Sequence, residues 1–273
     1  MGDVWVNGEL LTEEDARISP FDHGLLTGDG VFETLLARGG VVFGARRHLE
    51  RLARSAAILG LSVPPHGVLR EAMGDVMKAN GRTDARLRIT VTGGPSPLGS
   101  DRGTAPPTVI VAAVEPTIWP PRTAVAVAPW PRNERGAVAG AKTISYAENV
   151  VALAWARERR AGEALFANIA GNLCEGTGSN VFVGIGDRLV TPPLSSGCLA
   201  GVVRGLLLEG GVAVEEDVPI NALVAIEEAF LTSSTREVQP IDRIDGRPLT
   251  GTFAKADAAQ DLLASHWKNS PDP

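Results

Sequence analysis

The chain has 273 residues, of which 44% are hydrophobic, 21% are charged and 5% are aromatic. That composition is typical of a globular protein with one large domain or two modest ones, and it excludes disordered, collagen-like and coiled-coil classes. Asp and Glu outnumber Lys and Arg by 32 to 26, which gives a formal net charge of −6. Because no long basic run occurs, we expect neither nucleic acid nor an anionic membrane surface as a partner.

Cysteine usage and the first residues bear on the compartment. Cys174 and Cys198 are too few for a disulfide framework and lack zinc-ligand spacing to the four histidines, so we predict no metal site. The first residues lack the basic and apolar segments of a secretory signal, and no apolar run is long enough to span a bilayer. We expect a soluble, unprocessed protein of the reducing cytoplasm.

Hydrophobic periodicity in the first half predicts two hairpins, two helices and two strands, in that order. The hairpins turn at Asn7-Gly8 and Gly39-Gly40, and Gly60 ends the first helix. A loop over residues 93–108 is rich in Gly, Pro and Ser, and loops of this length are usually functional. The predicted elements cover residues 3–12, 30–43, 46–59, 68–79, 86–92 and 108–114.

Three prolines within residues 116–122 predict an extended linker between a small N-terminal α/β domain, residues 1–115, and a larger C-terminal domain, residues 123–273. The second half mixes strands and helices without a regular repeat, which favours α/β or α+β lobes over a Rossmann sheet or a barrel. Asn221 is the expected cap of its last helix. Strands are predicted over residues 124–128, 165–169, 180–185, 189–191, 212–216 and 229–232, and helices over residues 146–160, 202–209 and 222–228.

Lys142 stands among small residues just ahead of a predicted apolar helix. Most lysines lie on the surface, but the neighbours of Lys142 are Ala, Gly and Ile. Loss of solvation disfavours an ammonium ion relative to the neutral amine, which is the form that makes Schiff bases. Lys142 is therefore a candidate for Schiff-base chemistry.

Three other fragments have both a chemical and a structural interpretation. Glu175 lies between apolar residues and a glycine-rich turn, so it needs a partner, either a protonated pyridine nitrogen or an arginine. The hydroxyl-rich pair Ser234 and Thr235 follows a predicted strand and is suited either to binding phosphate or to capping a helix. Helical spacing places Arg51 near Arg47 and off the apolar face, which predicts a solvated side chain.

Taken together, these fragments resemble the class IV (fold-type IV) pyridoxal-phosphate-dependent aminotransferases over nearly the whole chain. The resemblance rests on the order of Arg51, Lys142, Glu175 and Ser234-Thr235, with Gly-Asp-Gly-Val-Phe-Glu-Thr upstream at residues 28–34. The group includes branched-chain and D-amino acid aminotransferases and aminodeoxychorismate lyase. It implies a homodimer of two-domain subunits, each with a small N-terminal α/β lobe and a larger mixed α/β lobe, that binds pyridoxal 5'-phosphate.

The resemblance also implies a role for each matching residue. Lys142 would hold the cofactor as an internal aldimine and then carry the Cα proton, and Glu175 would pair with the protonated ring nitrogen. Leu199 corresponds to the apolar residue that packs on the ring. The phosphate would be bound by residues of both halves of the chain, namely Arg51, Val202, Val203, Ser234 and Thr235.

The substrate loop departs from the best-known D-amino acid aminotransferases. Their carboxylate-binding arginine and histidine correspond here to Leu98 and Ser100. Replacement contacts for the substrate are expected from Phe32, Arg88 and Arg102.

Three functions follow from the resemblance. The first is a transaminase that moves an amino group from a small amino acid, with D-amino acids as one donor class, or from an amine to a 2-oxo acid. The second is an aminodeoxychorismate lyase that releases pyruvate and 4-aminobenzoate. The third is a cofactor-binding protein without catalysis. A few pocket contacts decide between the first two reactions.

Overall fold

The computed structural model describes residues 2–273, which divide into two compact units. The first unit holds the described residues up to Thr117 together with the short segments Ala141–Tyr146 and Ser270–Pro273. The second unit comprises Ile118–Gly140 and Ala147–Asn269. Each unit has its own sheet and its own apolar core.

Six α-helices are formed by residues 2–273, and none of them is long and apolar enough to cross a membrane. They are α1 (His23–Thr27), α2 (Ala45–Leu59), α3 (His66–Ala79), α4 (Ala147–Glu158), α5 (Val202–Glu209) and α6 (Ala254–Asn269). The strands are β1 (Val4–Val6), β2 (Glu9–Leu11), β3 (Gly30–Arg38), β4 (Val41–Val42), β5 (Ala85–Thr92), β6 (Val109–Val114), β7 (Thr123–Val127), β8 (Glu163–Ala167), β9 (Leu173–Gly176), β10 (Asn180–Ile185), β11 (Arg188–Thr191), β12 (Val214–Glu215), β13 (Ala229–Ser233), β14 (Glu237–Ile244) and β15 (Arg247–Pro248).

The sheet of the first unit is antiparallel, with strand order β2-β1-β6-β5-β3-β4. Strands β5 and β6 alternate buried and less buried residues, because one face of the sheet carries the core. Apolar side chains of α2 and α3 cover that face. Both predicted hairpins are confirmed, and Asn7 and Gly8 have the positive φ values that their turn requires.

Helix α2 ends as predicted, because Gly60 adopts a left-handed conformation and donates its backbone N–H to the last turn. Its first turn is unusual, since the N-cap residue is Gly44 and no side chain of the neighbouring sequence caps it. Instead, the backbone N–H of Arg46 donates to Asp272 Oδ1 at 2.7 Å, and Arg70 binds the other oxygen of Asp272 at 2.7 Å. The segment Ser270–Pro273 therefore supplies the cap of helix α2.

The sheet of the second unit is mixed, with strand order β12-β11-β10-β13-β14-β7-β8-β9, and β15 pairs with β14. The pairs β11-β12, β14-β7 and β7-β8 are parallel, and the remaining neighbours are antiparallel. Phe182 of β10 and Phe230 of β13 stack with ring centroids 4.9 Å apart, so the two central strands share an apolar contact. The mixed α/β prediction is confirmed.

One predicted helix of the second unit is wrong. Residues 220–225 form a short 3₁₀ helix that follows Pro219, and Asn221 does not cap it. Glu228 lies outside the helix because its carbonyl accepts the N–H of Gly184 and its carboxylate accepts the backbone N–H groups of Lys255 and Ala256. These bonds extend the sheet and cap α6. The sequence prediction also lacked β9, β14, β15 and α6.

The loop over residues 93–108 is attached to the rest of the first unit by a charged cluster. Arg102 donates two hydrogen bonds to Asp29, at 2.6 and 2.7 Å, and two more to the carbonyls of Leu59 and Gly60. His23, which is buried, has acceptors at both ring nitrogens: Asp29 Oδ2 at 2.7 Å and the Gly99 carbonyl at 3.0 Å. Only the imidazolium form can donate to both acceptors.

We expect the stability of this attachment to fall as pH rises. The hydrogen bonds to Asp29 and Gly99 raise the pKa of His23 above its ordinary value of 6.5. His23 therefore stabilises the fold fully below pH 6.5, and the contribution is lost as pH rises through the folded-state pKa. The measurement is the unfolding free energy of the wild type and of His23→Gln at several pH values between about 6 and about 9. The difference between them should shrink toward high pH, whereas exposed His66→Gln should keep the wild-type profile. A constant difference for His23→Gln would contradict the prediction.

Candidate functional site

Lys142 lies on a short segment that adds to the edge of the first unit's sheet. Its carbonyl accepts the N–H of Phe32 at 3.0 Å, and the N–H of Ile144 donates to the carbonyl of Gly30 at 2.9 Å. The N–H of Lys142 donates to Ser55 Oγ on α2 at 3.0 Å. The backbone on both sides of the lysine is therefore fixed by β3 and α2.

The ring of Phe32 contacts three polar side chains, those of Lys142, Arg88 and Tyr146. The Lys142 Nζ lies 4.4 Å from the ring centroid, and the guanidinium carbon of Arg88 lies 3.9 Å from the same centroid. Tyr146 meets the ring edge-on at 5.2 Å. The Lys142 amine and the Arg88 guanidinium therefore contact the same ring. These contacts bring together three residues predicted to contact the cofactor or the substrate.

Arg51 is buried, so the expectation of a solvated side chain is wrong. Its Nε and Nη2 donate to the two carboxylate oxygens of Glu33, each at 2.7 Å, and His48 Nδ1 lies 2.6 Å from Glu33 Oε2. Burial opposes ionisation of Glu33, but Arg51 and His48 outweigh it and hold the pKa of Glu33 well below its usual range. The helical spacing did not indicate this pairing because the partner acid comes from β3.

In the second unit, Glu175 lies on β9 with two partners. Oε2 accepts the backbone N–H of Leu199 at 2.9 Å, and Oε1 lies 3.4 Å from Arg132 Nε. The guanidinium of Arg132 also covers the ring of Phe166, 4.2 Å from its centroid. Of the two partners expected for Glu175, the arginine is thus present in the second unit.

Helix α5 begins at Val202, three residues after Leu199, whose N–H donates to Glu175. The side chain of Asn180 donates to the carbonyl of Leu199 at 2.8 Å, and a Cβ added to Gly201 would collide with that same side chain. Glycine is therefore required at the N-cap, and no side chain caps the helix. The first backbone N–H groups, those of Val202 and Val203, have no partner within their own helix and suit an anion.

Ser234 and Thr235 form the turn between β13 and β14, and the alternative of a helix cap is wrong because a strand follows. The N–H of Arg236 donates to Ser233 Oγ at 3.0 Å and closes the turn. Since Asn180 pairs with Thr232 across β10 and β13, this turn and the start of α5 lie at the same edge of the sheet. Thr232 Oγ1 is buried there without a hydrogen-bond partner among residues 2–273.

The donor set at this edge fits a phosphorylated pyridine cofactor. Uncapped N–H groups, a hydroxyl-rich turn and an unsatisfied buried hydroxyl favour the phosphate, and the half-buried carboxylate of Glu175 favours a protonated ring nitrogen. The predicted site residues of the second unit are thereby gathered. Arg102 belongs to the first unit, where its guanidinium is bound by Asp29 and by two backbone carbonyls.

Residues 30–244 match the model of the family described as class IV aminotransferases. The chain belongs to that family. Its members are pyridoxal-phosphate enzymes that use amino and 2-oxo acid substrates, so the predicted resemblance and the transaminase interpretation are confirmed.

Relatives of the chain include both reaction classes of this aminotransferase family. A putative branched-chain-amino-acid aminotransferase of Methanocaldococcus jannaschii is 34% identical over 89% of this chain and 88% of its own length. An aminodeoxychorismate lyase of Bacillus subtilis is 32% identical over 95% of this chain and 92% of its own length. A D-alanine aminotransferase of Staphylococcus epidermidis is 28% identical over 90% of each chain.

The fold also matches that of solved class IV aminotransferases. The branched-chain aminotransferase of Escherichia coli superposes with a TM-score of 0.89, at 27% identity, over 97% of this chain and 93% of that one. The fold-type IV prediction is therefore confirmed.

Several residues at the site were missed from sequence alone. They are Glu33, His48, Arg132, Glu163 and Arg236, of which the last two are described below. The available signal was a single charge within or beside an apolar strand, as for Glu33 within β3, since such a charge requires a partner.

We expect Glu33→Gln to lower the free energy of unfolding by about 3 kcal/mol, because it leaves Arg51 buried without its carboxylate. The change can be measured by urea denaturation. Glu50→Gln, on the helix that carries Arg51, removes only an exposed pair with Arg46 and should cost less than about 0.5 kcal/mol. Equal losses in the two variants would contradict the role assigned to the buried pair.

Proposed function

We propose that the chain transfers an amino group from a small amino acid, with D-amino acids as one donor class, to a 2-oxo acid, using pyridoxal 5'-phosphate bound at Lys142. The observation that carries the proposal is the position of Lys142 in the first unit. Its backbone is held by β3, and its amine lies over the apolar ring of Phe32, which the Arg88 guanidinium also contacts. This arrangement suits an amine that must meet an anionic amino acid.

Pyridoxal phosphate, when bound, supplies an aldehyde that condenses with amines and a ring that stabilises negative charge at the substrate Cα. The Nζ of Lys142 would hold that aldehyde and then move the Cα proton. The carboxylate of Glu175, which lies 3.4 Å from Arg132 Nε, would pair with the protonated ring nitrogen. Leu199, whose N–H donates to Glu175, would pack on the ring.

We assign the phosphate to the donors that the family resemblance implies. Val202 and Val203 offer backbone N–H groups, and Ser234 and Thr235 offer hydroxyl and N–H groups. Arg51 contributes the positive charge, and the bidentate contact with Glu33 fixes the orientation of its guanidinium.

Arg88 is the better supported of the two candidate arginines for the substrate carboxylate. Within residues 2–273 it has no carboxylate partner; its Nε donates to Thr90 Oγ1 at 3.1 Å and its guanidinium lies on Phe32. Arg102 makes four hydrogen bonds within the first unit, so binding a substrate would require it to release Asp29. Phe32 contributes the apolar surface that orders Arg88 and the Lys142 amine.

The lyase reaction remains a second candidate because of the Bacillus subtilis relative, which is 32% identical over nearly the whole chain. Elimination and transamination begin with the same bound amine, and differ in which substrate bond breaks after the Cα proton leaves. A pocket that admits the larger cyclic substrate would favour elimination.

We further propose a cytoplasmic homodimer. Exposed apolar side chains on the first unit support the dimer, since exposed apolar surface is covered at an interface; they are Ile18, Phe21, Leu25, Leu26 and Leu98. The two buried cysteines carry free thiols, which is compatible with a reducing compartment. Light scattering on the purified protein gives the mass, and a monomer would contradict the dimer.

The proposed reaction predicts a visible imine absorption band that D-alanine or D-glutamate converts and that Lys142→Ala lacks, because the variant has no amine to hold the aldehyde. Spectral titration of the holoenzyme with D-alanine, D-glutamate, L-leucine and (R)-1-phenylethylamine measures the conversion, and pyruvate release from aminodeoxychorismate is assayed in parallel. Turnover with aminodeoxychorismate alone would replace the transaminase proposal with the lyase. A band that no amine converts would leave only a binding protein.

Arg88→Met should raise KM for the amino acid donor at least about tenfold, because a charge-assisted hydrogen bond to the carboxylate contributes about 1.5 kcal/mol or more. The KM of (R)-1-phenylethylamine, which has no carboxylate, should change less than about twofold if that amine is a donor. Arg86→Met removes an arginine from the same strand, one bound to Thr117, and serves as the control. Equal effects of the two substitutions would refute the assignment.

A further inference from the structure

A buried carboxylate of the second unit joins two turns that flank the proposed cofactor site. Glu163, at the start of β8, is 1% exposed. Its Oε1 accepts the backbone N–H of Thr177 at 3.0 Å and also the Thr177 hydroxyl. Its Oε2 accepts Arg236 Nη2 at 2.8 Å, with Ser179 Oγ at 3.4 Å. Both oxygens therefore have partners: Thr177 and Ser179 on one turn, and Arg236 on the other.

One of these turns directly follows Glu175. Gly176 donates its N–H to the carbonyl of Ser179 at 2.7 Å, and a Cβ at Gly176 would collide with Ser179. Asn149 donates to the carbonyl of Thr177, and the same Asn149 accepts a hydrogen bond from Arg132 at 3.0 Å. The position of the turn is thus coupled to the arginine that contacts Glu175.

Arg236 directly follows Ser234 and Thr235 on the other turn. Its guanidinium is 3.7 Å from the Trp119 ring centroid, and it donates to the side chain of Gln239 as well as to Glu163. Both charged side chains are almost fully buried, at 6% exposure for Arg236 and 2% for Glu163. The orientation of the arginine is therefore fixed by an aromatic face and two acceptors.

We propose that Glu163 and Arg236 are positioning residues that fix the phosphate-binding turn relative to the acid that binds the ring nitrogen. The inference rests on the proposed function. A cofactor bound at both ends needs the two turns at a set separation, and a rigid connection between them lowers the cost of ordering the site. The pair contacts neither end of the cofactor itself, so its effect passes through Thr177 on one side and through the backbone of Arg236 on the other.

Glu163→Gln separates the two connections. The amide oxygen can still accept from Thr177, but the amide NH₂ faces a guanidinium donor and cannot hold Arg236. We expect the affinity for pyridoxal phosphate to fall about tenfold, whereas that for pyridoxal, which lacks the phosphate, changes less than about twofold. Both dissociation constants are obtained from the visible imine band after the cofactor is removed from the holoenzyme.

The matched control is Glu228→Gln, which removes another buried carboxylate of the second unit. Glu228 caps α6 and immediately precedes β13, at the end opposite the Ser234-Thr235 turn. It should lower the melting temperature without changing the ratio of the two affinities. If Glu163→Gln does not fold, Arg236→Lys keeps the ion pair but loses the planar fork, and it should weaken pyridoxal phosphate selectively by a smaller factor.

The outcomes distinguish the inference from the function on which it rests. A wild-type protein that binds no pyridoxal phosphate refutes the proposed function. Normal binding by the wild type, with equal losses of both affinities or no loss in the Glu163 and Arg236 variants, overturns only the positioning role. A selective loss of pyridoxal phosphate affinity in either variant supports it.

Discussion

The short antiparallel bridge between residues 142–144 and β3 is the contact on which the chemistry of the first unit depends. It is made by two backbone hydrogen bonds, so the position of the lysine is independent of its side chain. Side-chain rotamers then need only to bring Nζ over Phe32, where Arg88 is already stacked. A segment taken from the middle of the chain thus acquires the rigidity of a sheet, which favours preorganised catalysis over induced ordering.

In each unit, one buried ion pair contributes more to the orientation of its side chains than to stability. Glu33 with Arg51 and Glu163 with Arg236 are nearly inaccessible to water, and desolvation cancels much of the attraction in such pairs. The geometry is nevertheless specific, because Arg51 makes a bidentate contact with Glu33 and the Arg236 guanidinium is divided between Glu163 and Gln239. Apolar residues of equal volume would pack as well but would leave the adjoining backbone less constrained.

Local patterns predicted the elements that depend on local interactions. The turn at Asn7-Gly8, the stop of α2 at Gly60 and the span of α5 follow from residue type and spacing. Strand β14 was missed because it contains Pro240 and several charges, although Pro240 pairs with Phe230 inside the sheet. Helix α6 was missed because its many alanines give little contrast between its faces.

The candidate site shows the same division. Lys142 and Glu175 are predicted as site residues because a charge among small or apolar residues needs an explanation, and the family order of motifs supplies one. The burial of Arg51 and the connection from Glu163 to Arg236 could not be found in this way, since their partners lie 18 and 73 residues away in the chain. Such contacts depend on the tertiary fold, which spacing along one helix or one strand does not encode.

The capping of α2 by Asp272 makes the first turn of this helix depend on a contact between residues that are far apart in the sequence. The helix carries Arg51 and Ser55, yet the acceptor for the N–H of Arg46 is 226 residues downstream. Closing so long a loop costs more chain entropy than forming a local contact. The first turn of α2 is therefore completed only after the local structure around it has formed, and the arginine proposed for phosphate binding lies on a helix whose start depends on the tertiary fold.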